Sequence, residues 1–249
     1  MASRMQNFSP SCSKTKWQLN SLAKPIFTAF ICLMSALTLA SPLPALPDPA
    51  LQHCVAETAA TNAWVEAEEV LIVECPALNI TNISGLEAFS NLQILDLSGN
   101  NIGDSLPLYA HTQLTALNLS GNSAIDFNLL QPIFNNNLGL LSLGLGDIAI
   151  GTQPLYLTPE SLLHTLDLRN TGIDYMPPLP STIKHLDLSD NKLQEFILPP
   201  EVQLSQLDIS GNPLQYIDLP SLLNARGLTE LNLSYVDGIN LPDLHAIIS

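Results

Sequence analysis

Apolar residues recur along most of this chain in a spacing that is neither helical nor strictly alternating. In "LQILDLSGNNI", residues 92–102, the apolar positions are Leu92, Ile94, Leu95, Leu97 and Ile102, with Asn100 two places before the last. Written L-x-x-L-x-L-x-x-N-x-L, the pattern returns in "LTALNLSGNSA", "IKHLDLSDNKL" and "LSQLDISGNPL", and more weakly in "VLIVECPALNI", "LGLLSLGLGDI", "LHTLDLRNTGI" and "LTELNLSYVDG". The eight copies begin at 70, 92, 114, 138, 163, 183, 204 and 228, in steps of 22, 22, 24, 25, 20, 21 and 24 residues. A fixed period of this length marks a stacked array. In "LDLS" the two Leu face one side and the residue between them faces the other, as a period of two requires. Each unit is therefore expected to supply one short strand to a parallel sheet, with its Leu residues inside. Asn at the ninth place (Asn100, Asn122, Asn191, Asn212) is expected to bond the backbone of adjacent units, because an amide both donates and accepts. Leu78, Gly146, Thr171 and Val236 stand at that place in the other copies.

Residues 70 to about 240 resemble a leucine-rich repeat protein, on a motif that is specific because it repeats. The resemblance implies an α/β solenoid: a horseshoe with one short parallel strand per coil and about eight coils. Prolines in "YMPPLPST", "ILPPEVQ" and "IDLPSLL" interrupt any long helix, so the convex side is expected to be irregular or single-turn helical. The Pro-rich run before residue 183, with its 20-residue step, is similar to short-repeat proteins of bacterial pathogens. Those often carry a catalytic-Cys ubiquitin-ligase domain, and this chain has no Cys after Cys75.

Composition suits one continuous core: 46 % of the 249 residues are hydrophobic and only 12 % charged. Residues 1–24 carry Arg4, Lys14, Lys16 and Lys24 without an acid, followed by the apolar run "IFTAFICLMSALTLA" and "SPLPALPDP". That order reads as a secretory signal peptide over residues 1–40; the apolar run is shorter than the ~20 residues a spanning helix needs. Residues 41–69 then form a Pro-rich linker and helical cap, and residues 70–249 the repeats. The destination is secretion, the periplasm or the cell envelope. Cleavage leaves four Lys and Arg against 23 acids, a net charge of −19. Nucleic acid, which requires a basic patch, is excluded as a partner, and anionic membrane surfaces are disfavoured. The "LPDLHAIIS" tail offers no second cap, and a monomer is expected.

Cys54 and Cys75 are the two cysteines left after cleavage, and in an exported protein such a pair is expected to bond. The bridge would tie a helix around 49–60 to the first coil and shield the open end of the core, which a repeat array requires. This segment, running into "NISGLEAFSNLQILDLSGN", resembles the cap and first coil of exported bacterial leucine-rich repeat proteins.

Family members bind partners on the concave strand face, which the resemblance maps here onto Glu74, Asp96, Asn118, Ser142, Asp167, Asp187, Asp208 and Asn232, with Arg169 and Tyr235 beside them. Strands lie ~4.8 Å apart, so this ladder spans roughly 34 Å. Asp167, Asp187 and Asp208 would stack as three carboxylates, which could invite Ca²⁺, an ion that prefers oxygen ligands. No phosphate loop, zinc spacing or dinucleotide motif is present, and nothing supplies a strained nucleophile turn. The chain is therefore read as no enzyme and without a cofactor or resident metal. The expected function is an exported interaction module binding another protein on its concave face. The alternative is a cell-envelope structural or adhesive protein binding glycan or polymer, possibly Ca²⁺-assisted.

Overall fold

The computed structural model describes residues 43–158 and 160–236; the proposed signal segment and the 241–249 tail lie outside them. Each coil contributes three strand residues: β1 Ile72–Glu74, β2 Ile94–Asp96, β3 Ala116–Asn118, β4 Ser142–Gly144, β5 Thr165–Asp167, β6 His185–Asp187, β8 Gln206–Asp208 and β10 Glu230–Asn232. They form one parallel sheet in the order β1-β2-β3-β4-β5-β6-β8-β10, and every pair is in register. The alternation within "LDL" explains the layering. The middle strand residue (Val73, Leu95, Leu117, Leu143, Leu166, Leu186, Leu207) points inward and is at most 2 % exposed, while its two neighbours point out. No coil can bury its Leu face alone, so stability is shared between neighbours. In the last described coil Leu228, Leu231 and Leu233 are only half-buried.

Backbone bonds join each coil to the next, and in four coils the ninth-position Asn adds a buried polar link. Asn191, buried, accepts at Oδ1 from the N–H groups of Thr171, Gly172 and Ile173 at 3.0, 2.9 and 3.2 Å. Its Nδ2 donates to the carbonyls of Leu168 in the preceding coil (2.8 Å) and Leu188 in its own (2.9 Å). Asn100, Asn122 and Asn212 repeat this double reach: to Cys75 and Leu97, to Leu97 and Leu119, and to Leu188 and Ile209. Where Asn is missing at position 171, the Thr171 hydroxyl donates to the Leu168 carbonyl of its own coil at 2.8 Å.

The residue before that place has positive φ in all eight coils: Ala77, Gly99, Gly121, Asp147, Asn170, Asp190, Gly211 and Tyr235. Gly, Asn and Asp tolerate that region best, which accounts for the "SGN" and "SDN" wording. At Gly121 the space is equally restrictive, since a Cβ there would lie 3.0 Å from the Gly99 Cα.

The fourth coil corrects the sequence reading. Leu138, taken as its first core position, is 50 % exposed, whereas Leu140, Leu143, Leu145 and Ile148 are buried. The coil is phased two residues later than "LGLLSLGLGDI" suggests, and Ile148, not Gly146, holds the ninth place. A 3-10 turn (Phe127–Leu129) and the short helix α2 (Gln131–Asn136) lengthen the preceding coil and cause the shift. Asn137, which follows α2, is buried; it accepts from the Leu114 N–H and donates to the His111 and Ile133 carbonyls. It is a convex-side counterpart of the Asn ladder. Elsewhere the convex side has 3-10 turns, the six-residue helix α3 (Leu219–Asn224) and a two-stranded sheet of β7 (Glu195–Phe196) and β9 (Tyr216–Ile217).

The N-terminal end is closed by helix α1, Pro49–Asn62, which buries Leu51, Val55 and Ala59. Asp48 starts it and joins it to the array. Its Oδ1 caps the Ala50 and Leu51 N–H groups, and its Oδ2 accepts from the Thr81 and Asn82 N–H groups of the first coil. Burial raises the carboxyl's pKa, but these four backbone donors outweigh it and hold the group below its ordinary value. The Cys54–Cys75 disulfide, with Cα atoms 5.9 Å apart, fastens the same helix to the strand end of the first coil.

Two measurements check this stacking scheme. Asn191→Ala strands several buried donors and carbonyls at once, so urea unfolding should show a loss of roughly 2–5 kcal/mol. A loss below about 0.5 kcal/mol would mean the coils are held by backbone bonds and apolar contact alone. Removing the bridge in the Cys54→Ser/Cys75→Ser variant should cost about 3 kcal/mol, the chain-entropy value for a loop of this length, with the first coil fraying in hydrogen exchange before the rest.

Candidate functional site: the outer face of the sheet

Two residues per strand, not one, look outward. One column runs Ile72, Ile94, Ala116, Ser142, Thr165, His185, Gln206, Glu230; the other runs Glu74, Asp96, Asn118, Gly144, Asp167, Asp187, Asp208, Asn232. Ser142 therefore belongs to the first column, with Gly144 in the place assigned to it, as the two-residue phase shift requires. The other expected members of the second column stand where the repeat places them, and Asp167, Asp187 and Asp208 are consecutive. Reading one outward residue per coil misses Gln206 and Glu230; the signal that finds them is the residue on the other side of each central Leu.

The Asp and Asn residues of the second column have a local task. Each accepts the backbone N–H two residues on: Ser98 to Asp96 (2.8 Å), Ser120 to Asn118 (3.1 Å), Arg169 to Asp167 (3.0 Å), Ser189 to Asp187 (2.9 Å), Ser210 to Asp208 (2.9 Å) and Ser234 to Asn232 (3.1 Å). The side chain thus closes the strand end as an Asx turn, and "LDLS" is in part a structural sentence. Asn performs this as well as Asp, so the carboxylate charge is surplus to the turn.

Asp187 keeps its Oδ2 outward, because its contacts fall on Oδ1; Asp208 uses Oδ2 to accept from the Asn232 amide at 2.8 Å. Together with Asp167, His185, Gln206 and Glu230 they line an open groove of about 610 Å³ over the last four coils, which no Lys or Arg enters. Among the described residues no group of three or more His, Cys, Asp and Glu side chains is disposed to hold a metal ion.

The fourth coil divides the face. Gly144 and Gly146 leave the second column without a side chain there, and the neighbours lean in: a Cβ at Gly144 would meet Asn118 Oδ1 at 2.4 Å, and one at Gly146 would meet Arg169 Cγ at 2.9 Å. Ser120 Oγ reaches Asp167 Oδ2 across the gap at 3.5 Å. A second hollow of about 440 Å³ runs along the turns after the strands from the first coil to the fifth, lined by Asn118, Ser120, Asp147, Asp167 and Arg169 among smaller residues. Arg169, half-exposed, stands 3.8 Å from Asp167. Burial pushes the Asp167 carboxyl above its ordinary value; the Arg169 N–H and guanidinium oppose this without reversing it, and Asp187 and Asp147 add to the rise. Of the remaining expected residues, Glu74 is exposed at the N-terminal end, and Tyr235 is 91 % exposed on the rim of the last coil, away from the groove.

The comparisons with known proteins fall on this architecture. Models described as leucine-rich repeats match residues 90–105 and 182–203. The structure is similar to two internalins from Listeria monocytogenes str. 4b F2365. One (inlF) has a TM-score of 0.62 at 20 % identity, covering 85 % of this chain and 63 % of that one. The other, internalin C2, has 0.51 at 24 % identity, covering 84 % of each. This chain is a leucine-rich repeat protein. In sequence the leucine-rich repeat region is 32 % identical over 123 residues to the receptor-like protein kinase BRI1-like 3 of Arabidopsis thaliana, covering 45 % of this chain. It is 33 % identical to the serine/threonine-protein kinase BRI1-like 1 over the same length. The chain spans about 10 % of the length of these kinases, so the likeness brings over the repeat and no phosphoryl transfer. Among the described residues of this leucine-rich repeat protein, no helix is long and apolar enough to cross a membrane.

The raised Asp167 carboxyl has a defined consequence. The folded state holds its proton more tightly than the unfolded chain, so stability falls as pH rises from the ordinary value of 3.8 through the raised one,. Asp167→Asn, which keeps the Oδ1 acceptor, should raise the Tm at pH 7, and the gain should vanish below the ordinary value. Thermal melts across pH 3–7 read this; a lower Tm at pH 7 would mean that pairing with Arg169 outweighs burial.

Proposed function

We propose that this protein is an exported, non-catalytic interaction module that binds another protein on the outer face of its parallel sheet. One observation carries the reading: the inner face of the sheet is sealed by the core, while the outer face, in register along the whole array, is covered by none of the described segments. A sheet face about 34 Å long matches a protein surface or an extended chain better than a small molecule. Export is supported by the apolar run after a basic N-terminal segment and by the Cys54–Cys75 pairing, since such bridges persist in oxidising compartments.

The test is recovery from the native host, without reductant, of the wild-type chain and of two variants that place bulk on opposite sides. His185→Trp/Gln206→Trp crowds the concave groove; Ile197→Trp alters an exposed convex position. A mature chain beginning near Ser41, two hydrogens lighter than its reduced form, retaining a protein partner in the wild type and convex variant but losing it in the concave one, is expected. Equal retention by all three would remove the concave face from the function, and a reduced chain in the cytoplasm would remove export.

A further inference from the structure

The outer face is not uniform along the array. Over the first coils the first column is apolar: Ile72, Ile94 and Ala116 are consecutive in register and half-buried, beside exposed Leu71 and, beyond them, exposed Leu141. Over the last four coils the same column becomes Thr165, His185, Gln206 and Glu230, next to the Asp row. Asp167, Asp187, Asp208 and Glu230 line that half. Arg169 stands 3.8 Å from Asp167 and Lys184 turns its Nζ to the Gln203 carbonyl at 3.0 Å, so among the described residues neither Asp187 nor Glu230 has a Lys or Arg partner. The Asx turns do not need the carboxylate charge, since Asn118 and Asn232 make them without it, although Asp208 also accepts from the Asn232 amide and Asp167 stands beside Arg169. Between the halves lies the fourth coil, where Gly144 and Gly146 carry no side chain and Asn118 and Arg169 lean over them.

Resting on the reading that this face binds a protein, we infer that its partner presents one extended segment lying across the strands, apolar at one end and cationic at the other. The apolar end seats on coils one to three and the Lys- or Arg-bearing end on coils six to eight. Each half selects for its own complement. Branched apolar side chains cover Ile72 and Ile94 and remove them from water. Cationic groups meet Asp187 and Glu230, whose charges are otherwise unmatched, which favours the right polarity and penalises the reverse. The whole ladder from coil one to coil eight, roughly 34 Å at ~4.8 Å per strand, is spanned by about ten extended residues at ~3.3 Å each. Beside the fourth coil, half-exposed Arg169 offers guanidinium donors to the carbonyls of such a backbone,.

Panning a random dodecapeptide display library over the full chain tests this directly. Binders are then measured against the wild type, against Ile72→Asp/Ile94→Asp, and against Asp187→Asn/Glu230→Gln, the last keeping the acceptor for the Ser189 N–H. Circular dichroism and melting confirm that both variants fold. The expected result is enrichment of peptides with apolar residues at one end and Lys or Arg at the other. Each variant should weaken them about tenfold or more, and added salt should weaken wild-type binding more steeply than binding to the Asp187→Asn/Glu230→Gln variant. Peptides without that polarity, or peptides indifferent to both variants, overturn the inference while leaving a protein-binding module in place. No enrichment over bare support overturns it as well, and if the host partner is nevertheless lost from the concave Trp variant, only the segment inference has failed.

Discussion

The structure depends on one hydrogen-bonding device, the buried amide at the ninth place of the repeat. A parallel strand of three residues makes few ladder bonds, and the chain must turn sharply out of the sheet after each one. The turn leaves N–H and C=O groups facing the interior, where an unmet polar group costs about 1–3 kcal/mol. Asn191 meets three such N–H groups and carbonyls from two coils with one side chain. Because its reach includes the coil before, satisfying the turn and stacking the array are the same act. The left-handed residue just ahead of it aims the chain so that this is possible.

A sealed interior follows, and from that an exposed exterior. Once Leu and Asn occupy the inside, every strand must send its flanking residues out, and parallel register lines them up in two columns. Part of that surface is structural: the Asp and Asn side chains close strand ends. Function can then reside only in what the turn leaves unspecified, namely the choice of Asp over Asn and the whole of the other column. In this chain both vary from one end to the other. The first coils present Ile72 and Ile94, the last Glu230 beside Asp187 and Asp208, and the fourth coil, with Gly144 and Gly146, separates them. Electrostatic selectivity of this kind governs partner choice and encounter rate more than raw affinity.

The solenoid was legible in the sequence because its determinants are periodic and local. A Leu at the fourth and sixth places, a small or Asx residue at the eighth and Asn at the ninth each answer to a single coil's geometry. The disulfide was legible from compartment logic, and its span from helix to first strand from the cap it closes. What escaped had non-periodic causes. The extra helical turn at Gln131–Asn136 shifted the fourth coil by two residues, and a Leu-rich run, "LGLLSLGL", fits either phase by composition. That hid Gly144 behind Ser142. Asn137 was invisible because it serves the convex side outside the repeat wording, and Asp48 because its second set of partners, Thr81 and Asn82, lies more than thirty residues away. The double outward column was missed through counting one residue per coil where the pleat supplies two.

The account stands on the claim that the outer sheet face is where another protein sits. Hydroxyl-radical footprinting of the protein free and in complex with its host-derived partner, read by mass spectrometry, addresses it most directly. Leu141, His164 and His185 on the strand side and Ile197 and Tyr216 on the convex side are all exposed in the free chain, so each is a reporter. The account predicts that the strand-side group loses reactivity on binding while Ile197 and Tyr216 keep theirs. Protection of the convex pair with the strand side unchanged would contradict it.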